Sequence, residues 1–327
     1  MTGRPLAGLP KAHLHLHLEA AMRPSTLHEL AAEHGITVPE LTGFSTFADF
    51  IGVYEAATES LRRPDDLRRL LREVAEDGAT DGAVWIELHV YPPLWFGRFG
   101  SDEDALDLTL DAARAATEAT GVGLGLVLAA DRTHAPAEAT RMARMGVARR
   151  EAGVTTFGLA NDEAGNPPEP FAEAFRIARD GGLVAAPHAG ELGGPESVRA
   201  AIDVLGADRL GHGVRAVEDP ELMARLADEG IVCDVCPTSN VILGLYPSIE
   251  QHAVGRLLDA GVPVTLNTDD PLLFGAGLLD EYESVRRAFA LDDEAVAAIA
   301  RTSIAASGAP DGTKRDGLHD VAVWLEG

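Results

Sequence analysis

The sequence has little cysteine, two residues in 327, which excludes a disulfide framework. It is also short of positive charge: 27 Lys and Arg stand against 52 Asp and Glu, for a formal net charge of −25. Nucleic acid and anionic membranes both require a basic partner surface, so neither is expected here. No apolar run approaches the roughly 18 residues of a membrane helix. The opening Met1-Thr2-Gly3-Arg4-Pro5-Leu6 lacks the apolar core of a secretory signal, so a cytoplasmic setting is expected. A glycine-rich phosphate turn after the first strand is missing, which argues against a doubly wound nucleotide-binding sheet. No solenoid-type repeat is visible.

What is present suits one soluble domain over residues 1–327, with 46% hydrophobic residues to fill a core and acidic residues placed on the outside for solubility. Short apolar runs predict eight strands, at 12–18, 84–90, 123–129, 154–159, 183–186, 209–210, 231–235 and 262–266. Between most of them lie Ala/Leu/Arg/Glu-rich segments with helical periodicity, such as 104–120 and 195–205, the latter opened by Pro195 and closed by Gly206. This alternation over about 300 residues predicts a (β/α)8 barrel, whose active site lies at the C-terminal strand ends. Asn, Gly and Pro mark loops at 35–43 and 160–169. The stretch from 25 to 82 exceeds one crossover helix, and its 46–61 portion suits a helical lid over the mouth.

The chemistry-bearing residues fall at those strand ends. In Ala12-His13-Leu14-His15-Leu16-His17-Leu18, polar and apolar residues alternate, which on a strand puts the histidines on one face. His15 and His17 can then grip one ion, with His188 and Asp269 as candidates to complete a zinc site. Each piece has a plainer reading when taken alone. A His-x-His also occurs on surfaces, a lone His188 suits a hydrogen-bonded core, and Asp269-Asp270 before Pro271 suits a helix N-cap. Their joint placement after strands one, five and eight favours the site, and only a closed sheet brings those strands together. Cys233-Asp234-Val235-Cys236 is a C-x-x-C without a second pair, read as buried barrel residues.

Leu9-Pro10-Lys11-Ala12 running into His15-Leu16-His17-Leu18-Glu19, followed by His188-Ala189-Gly190-Glu191, Leu210-Gly211-His212-Gly213, Cys236-Pro237-Thr238-Ser239-Asn240 and Asn267-Thr268-Asp269-Asp270-Pro271, resembles the adenosine deaminase family. The resemblance implies a (β/α)8 barrel, one zinc per chain and hydrolytic deamination at C6 of a 6-aminopurine, a small-molecule partner. The H-x-E and P-C-x-x-C signature of cytidine-type zinc deaminases is lacking. Zinc held by His15, His17, His188 and Asp269 brings the pKa of water to about 7. His212 then takes or orients the water proton, and Asp269 can accept a hydrogen bond from that water. Glu191, three residues after a ligand, is placed to protonate purine N1. By resemblance, Asp270 meets purine N7 and Glu19 reaches a sugar hydroxyl.

Three departures fall near the substrate. Glu19-Ala20-Ala21 replaces the usual Asp-Gly-Ala or Asp-Gly-Ser, Asn161 stands where adenosine deaminases commonly have a glycine contacting purine N3, and His89 replaces an arginine. The leading expectation is a deaminase of adenosine or a modified adenosine. The alternatives are a 6-aminodeoxyfutalosine or adenine deaminase and, disfavoured because every catalytic position is filled, a noncatalytic nucleoside-binding relative.

Overall fold

The computed structural model describes residues 3–41, 47–95 and 97–327. Eight parallel strands follow one another around a single sheet: β1 (Lys11–His17), β2 (Ala83–Val90), β3 (Gly123–Asp131), β4 (Val154–Ala160), β5 (Val184–Ala189), β6 (Arg209–His212), β7 (Val232–Val235) and β8 (Val264–Leu266). All eight predicted strands are present. The seam between β1 and β8 is drawn by three residues just past β8. Asn267 Oδ1 accepts the N–H groups of Leu14 at 2.6 Å and His15 at 3.1 Å, and Asp269 exchanges backbone bonds with His15 and His17. A side-chain amide thus stands in for a ladder bond where β8 has ended, closing the (β/α)8 barrel.

Helices cover the outside. α1 (Pro24–His34), α2 (Phe47–Ser60) and α3 (Pro64–Thr80) fill the long first crossover, with Thr46 of the expected lid and Thr42 and Gly43 of the expected loop outside the described residues. α4 (Asp102–Thr120), α5 (Pro136–Ala148), α6 (Ala172–Asp180), α7 (Pro195–Ala200) and α8 (Pro220–Glu229) bridge successive strands. α9 (Pro237–Ile242) and α10 (Val254–Asp259) precede β8, and α11 (Pro271–Phe274), α12 (Leu278–Ala288), α13 (Asp293–Ala306) and α14 (Asp311–Glu326) follow it. α4 begins two residues before its predicted start because Ser101 accepts the Asp104 N–H and Asp104 answers with a bond from the Ser101 N–H. The 195–205 helix changes to a wider π-type turn at Ala201–Leu205 and stops at Gly206, whose φ of 65° is left-handed.

Two details differ from the strand reading. His188 and His212 lie within β5 and β6 rather than after them, because the sheet pairing extends as far as His188 with Gly211 and Ala189 with His212. The β1 alternation also breaks: a register shift falls between His13 and Leu16. His13 Nε2 accepts the Thr268 N–H at 3.1 Å, while His15 and His17 turn to Asp269.

A buried charged layer crosses the barrel. Arg209 meets Glu87 Oε2 at 2.5 Å and Asp234 Oδ2 at 3.1 Å, all nearly inaccessible, and Thr156 and Thr265 donate to the two carboxylates. Burial drives the Glu87 carboxyl up, but Arg209 holds it below its ordinary range. Trp85 donates to Glu87 Oε1 at 3.3 Å, and its ring has room because Gly123 and Gly125 lack a Cβ, which would strike it at 2.4 and 2.5 Å.

Candidate active site

At the C-terminal mouth five imidazoles pack together. The His15 ring lies 4.4 Å from His188, 4.6 Å from His89, 4.8 Å from His212 and 5.5 Å from His17. Asp269 Oδ1 sits 3.4 Å from His15 Nε2 and 3.3 Å from His17 Nε2. Ligand atoms each about 2.1 Å from a tetrahedral zinc stand about 3.4 Å apart, so these spacings fit the ion. His15, His188, His212 and Asp269 offer ligand atoms within 4.8 Å of one another, and His17, Asp269 and Asp270 form an overlapping group. Proximity alone therefore does not separate His17 from His212.

The electrostatics fit a cation. Burial lowers His15 to about 4 and His188 well below its ordinary value, leaving neutral imidazoles suited to ligation. Burial also opposes charge on His17, but Asp270, Asp269 and Glu19 outweigh it and lift the group to about 9. Those carboxylates thus call for a positive charge, which a divalent ion supplies as well as a proton does. Ser239 donates to Asp269 Oδ2 at 2.7 Å, fixing which oxygen faces the histidines.

Backbone strain is concentrated here. Among the described non-glycine residues with positive φ are Asn161 (78°), His212 (65°) and Asp269 (63°). A left-handed residue disfavours a Cβ but tolerates Asn, which gives a physical reason for a glycine elsewhere and Asn161 here. The Asn161 amide donates to Asp131 at 2.9 Å. Asp270 caps nothing: as N-cap of α11 it makes no side-chain cap bond, and its Oδ1 is buried without a partner. The helix-cap reading of Asp270 therefore fails: the side chain groups with His17 and Asp269 instead.

Glu191 lies beside His212, with Oε2 3.5 Å from Nε2. Burial raises its carboxyl above the ordinary range, so it keeps a proton to donate closer to neutrality. Glu19 is buried, and Tyr54 of α2 donates to its Oε2 at 3.0 Å while Oε1 has no partner. The long first crossover does reach over the mouth.

Glu163 was not singled out by the sequence, where it is one acidic residue in a predicted loop. Its Oε1 accepts the Gly190 N–H at 2.6 Å and the Ser197 hydroxyl, and its Oε2 accepts those of Glu191, Leu192 and Gly193 at 3.0, 2.8 and 2.7 Å. Arg132 adds a bond to the His188 carbonyl at 2.5 Å. The strand end carrying His188 and the turn carrying Glu191 are thereby held by one buried carboxylate and one guanidinium. His252, also unmarked in the sequence, contacts Asn240 behind His212.

A closed parallel barrel with a His/Asp cluster at its C-terminal mouth defines a metal-dependent hydrolase. A family model for adenosine deaminase matches residues 10–324, and the chain belongs to that family of deaminase enzymes. A Streptomyces virginiae protein provisionally named adenosine/adenine deaminase is 46% identical over 99% of both chains. Among solved structures, adenine deaminase from Arthrobacter aurescens superposes with a TM-score of 0.90 at 29% identity, covering 98% of this chain and 100% of that one. An amidohydrolase from Burkholderia ambifaria with bound Zn gives 0.86 at 29% identity, covering 98% and 93%.

Among the described residues no helix is long and apolar enough to cross a membrane. Cys233 and Cys236 are free and buried, and burial drives both thiols up, away from thiolate chemistry.

Proposed function

We propose that the chain, acting as one barrel domain, is a zinc-dependent aminohydrolase that converts the C6 amino group of a purine, adenosine or a modified adenosine, to the 6-oxo group and ammonia. The observation that carries this reading is the adjacency of the His/Asp cluster to Glu191, whose carboxyl burial raises. His15, His17, His188 and Asp269 hold the ion, which when bound supplies the Lewis acidity that makes water nucleophilic at neutral pH. Glu191 gives its proton to purine N1, so that the ring accepts electron density as the tetrahedral carbon forms. His212 faces the reacting oxygen. Asp270, whose carboxyl is pushed well up by burial and by the Asp269 charge, donates to N7, and the left-handed backbone at Asn161 borders the purine edge. The partner is a small molecule, and free buried thiols suit a reducing compartment such as the cytoplasm.

One contact favours free adenine as a second reading: Tyr54 takes one of the two Glu19 oxygens that a ribose hydroxyl would otherwise approach. Adenine, adenosine, 2′-deoxyadenosine and 6-aminodeoxyfutalosine, followed by ultraviolet absorbance and ammonia release, decide between them. Deamination of any that is lost on chelation supports the reading. Metal-replete protein that releases ammonia from none of the four overturns it.

A further inference from the structure

The cluster leaves open which of its imidazoles ligate and whether His212 receives or donates a proton. The answer lies in residues behind it. His252 is buried, and its Nδ1 accepts the backbone N–H of Val254 at 3.1 Å, at the start of α10. A backbone amide can only donate, so the direction of this bond is fixed. Burial pushes His252 down to about 3, which leaves it neutral with one ring proton. With Nδ1 accepting, that proton is on Nε2.

His252 Nε2 lies 3.1 Å from Asn240 Oδ1 and donates to it. This settles the orientation of the Asn240 amide, whose oxygen and nitrogen are otherwise interchangeable. Asn240 Nδ2 then points its N–H at His212 Nδ1, 3.3 Å away. His212 Nδ1 is an acceptor in this chain, since an N–H there would face another N–H. The single proton of a neutral His212 is therefore on Nε2, the atom that is buried without a hydrogen-bond partner and lies toward Glu191.

We propose that the relay Val254 N–H, His252, Asn240 holds His212 as its Nε2–H tautomer, making His212 a hydrogen-bond donor to the reacting oxygen and excluding it from the metal ligands. A protonated Nε2 has no lone pair for an ion, and Nδ1 is occupied. Of the imidazoles whose ring nitrogens group with Asp269, His15, His17 and His188 are then left for the metal. For the same reason Nε2 cannot take the proton of the attacking water. That proton passes to a carboxylate, and Asp269 Oδ1 faces the same space. The N–H of His212 instead holds the oxygen by one lone pair and aims another at C6. Asn240 and His252 are positioning residues, acting through His212.

This deepens the proposed function and rests on it for the identity of the reacting oxygen, whereas the tautomer itself is testable without turnover. Zinc-loaded protein labelled with 15N-histidine is examined by long-range proton–nitrogen correlation, the His212 signals being assigned with His212→Asn. The expected pattern is a protonated, pyrrole-type Nε2 and a pyridine-type Nδ1. Asn240→Asp offers Nδ1 an acceptor only, so the pattern reverses, and kcat falls by more than about tenfold with KM within about twofold. A proton on His212 Nδ1 in the unaltered protein overturns the proposal even if Asn240→Asp does not fold. So does an Asn240→Asp protein with unchanged ring pattern and kcat. The expected spectrum from a protein that deaminates none of the purines upholds the relay and defeats only the substrate reading.

Discussion

Removing the Glu163 carboxylate is the most direct test of how this barrel holds its proton donor. Glu163→Ala strips partners from four backbone N–H groups, those of residues 190–193. An unsatisfied buried donor costs about 1–3 kcal/mol. Leu192 at 42% exposure shows that water reaches the turn, so the low end applies and the total is about 4 kcal/mol. Two of the four groups belong to Gly190 and to Glu191 itself. Roughly half the energy therefore bears on the donor's position, about 2 kcal/mol or thirtyfold in kcat. Glu163→Gln is milder. Its oxygen can serve the three N–H groups on the Oε2 side and its NH2 can donate to Ser197, leaving Gly190 unpaired at about 1 kcal/mol, roughly fivefold. The assay is steady-state deamination, with metal content and thermal midpoint measured on the same samples; the metal stays bound and the Ala midpoint falls by roughly 5 °C. Although burial opposes the charge, the Ser197 hydroxyl and backbone N–H groups hold the Glu163 carboxyl below its ordinary range. Its contribution is thus full above the unfolded value of about 4.3 and lost as pH falls through the lower folded value, so wild type and Ala variant converge in acid. A folded Glu163→Ala enzyme with wild-type kcat, or a Gln variant worse than Ala, refutes this reasoning.

Two further perturbations separate chemistry from stability. Glu191→Gln preserves shape but cannot donate a proton, so turnover drops at least about a hundredfold with metal retained. Because burial raises the Glu191 carboxyl, wild-type activity declines as pH rises through that value, and residual activity of the Gln variant lacks this alkaline decline; near-normal turnover excludes Glu191 as the acid. Glu281 is buried beneath the Thr238 N–H, and burial pushes its carboxyl up to about 8. The folded state binds this proton more tightly than the unfolded, so native stability falls as pH climbs from about 4.3 to 8, by at most about 4 kcal/mol at pH 7. Thermal unfolding of Glu281→Gln therefore shows an advantage over wild type that grows between pH 5 and pH 8, and a pH-independent difference contradicts the assignment.

The sequence by itself determined the barrel and which side chains gather at its mouth. Each strand is a short apolar run that must be buried on both faces, and eight such runs separated by helical periodicity leave one economical closure. His15, His17, His188, Glu191, His212, Asp269 and Asp270 were all legible because their types, at strand ends, name the chemistry. Burial and partners were not legible, because they depend on residues distant in the chain. Glu163 touches residues 190–193 from 27 to 30 positions away, and only packing turned a loop glutamate into the anchor of that turn. The β1 register shift separated His13 from its neighbours although the alternation treats all three alike. Tyr54 reached Glu19 from a helix whose place over the mouth no local pattern encodes. Nor could any motif supply the proton on His212: that is decided by a backbone amide at Val254, passed through two side chains, because hydrogen-bond direction propagates only where the folded chain brings donor and acceptor together.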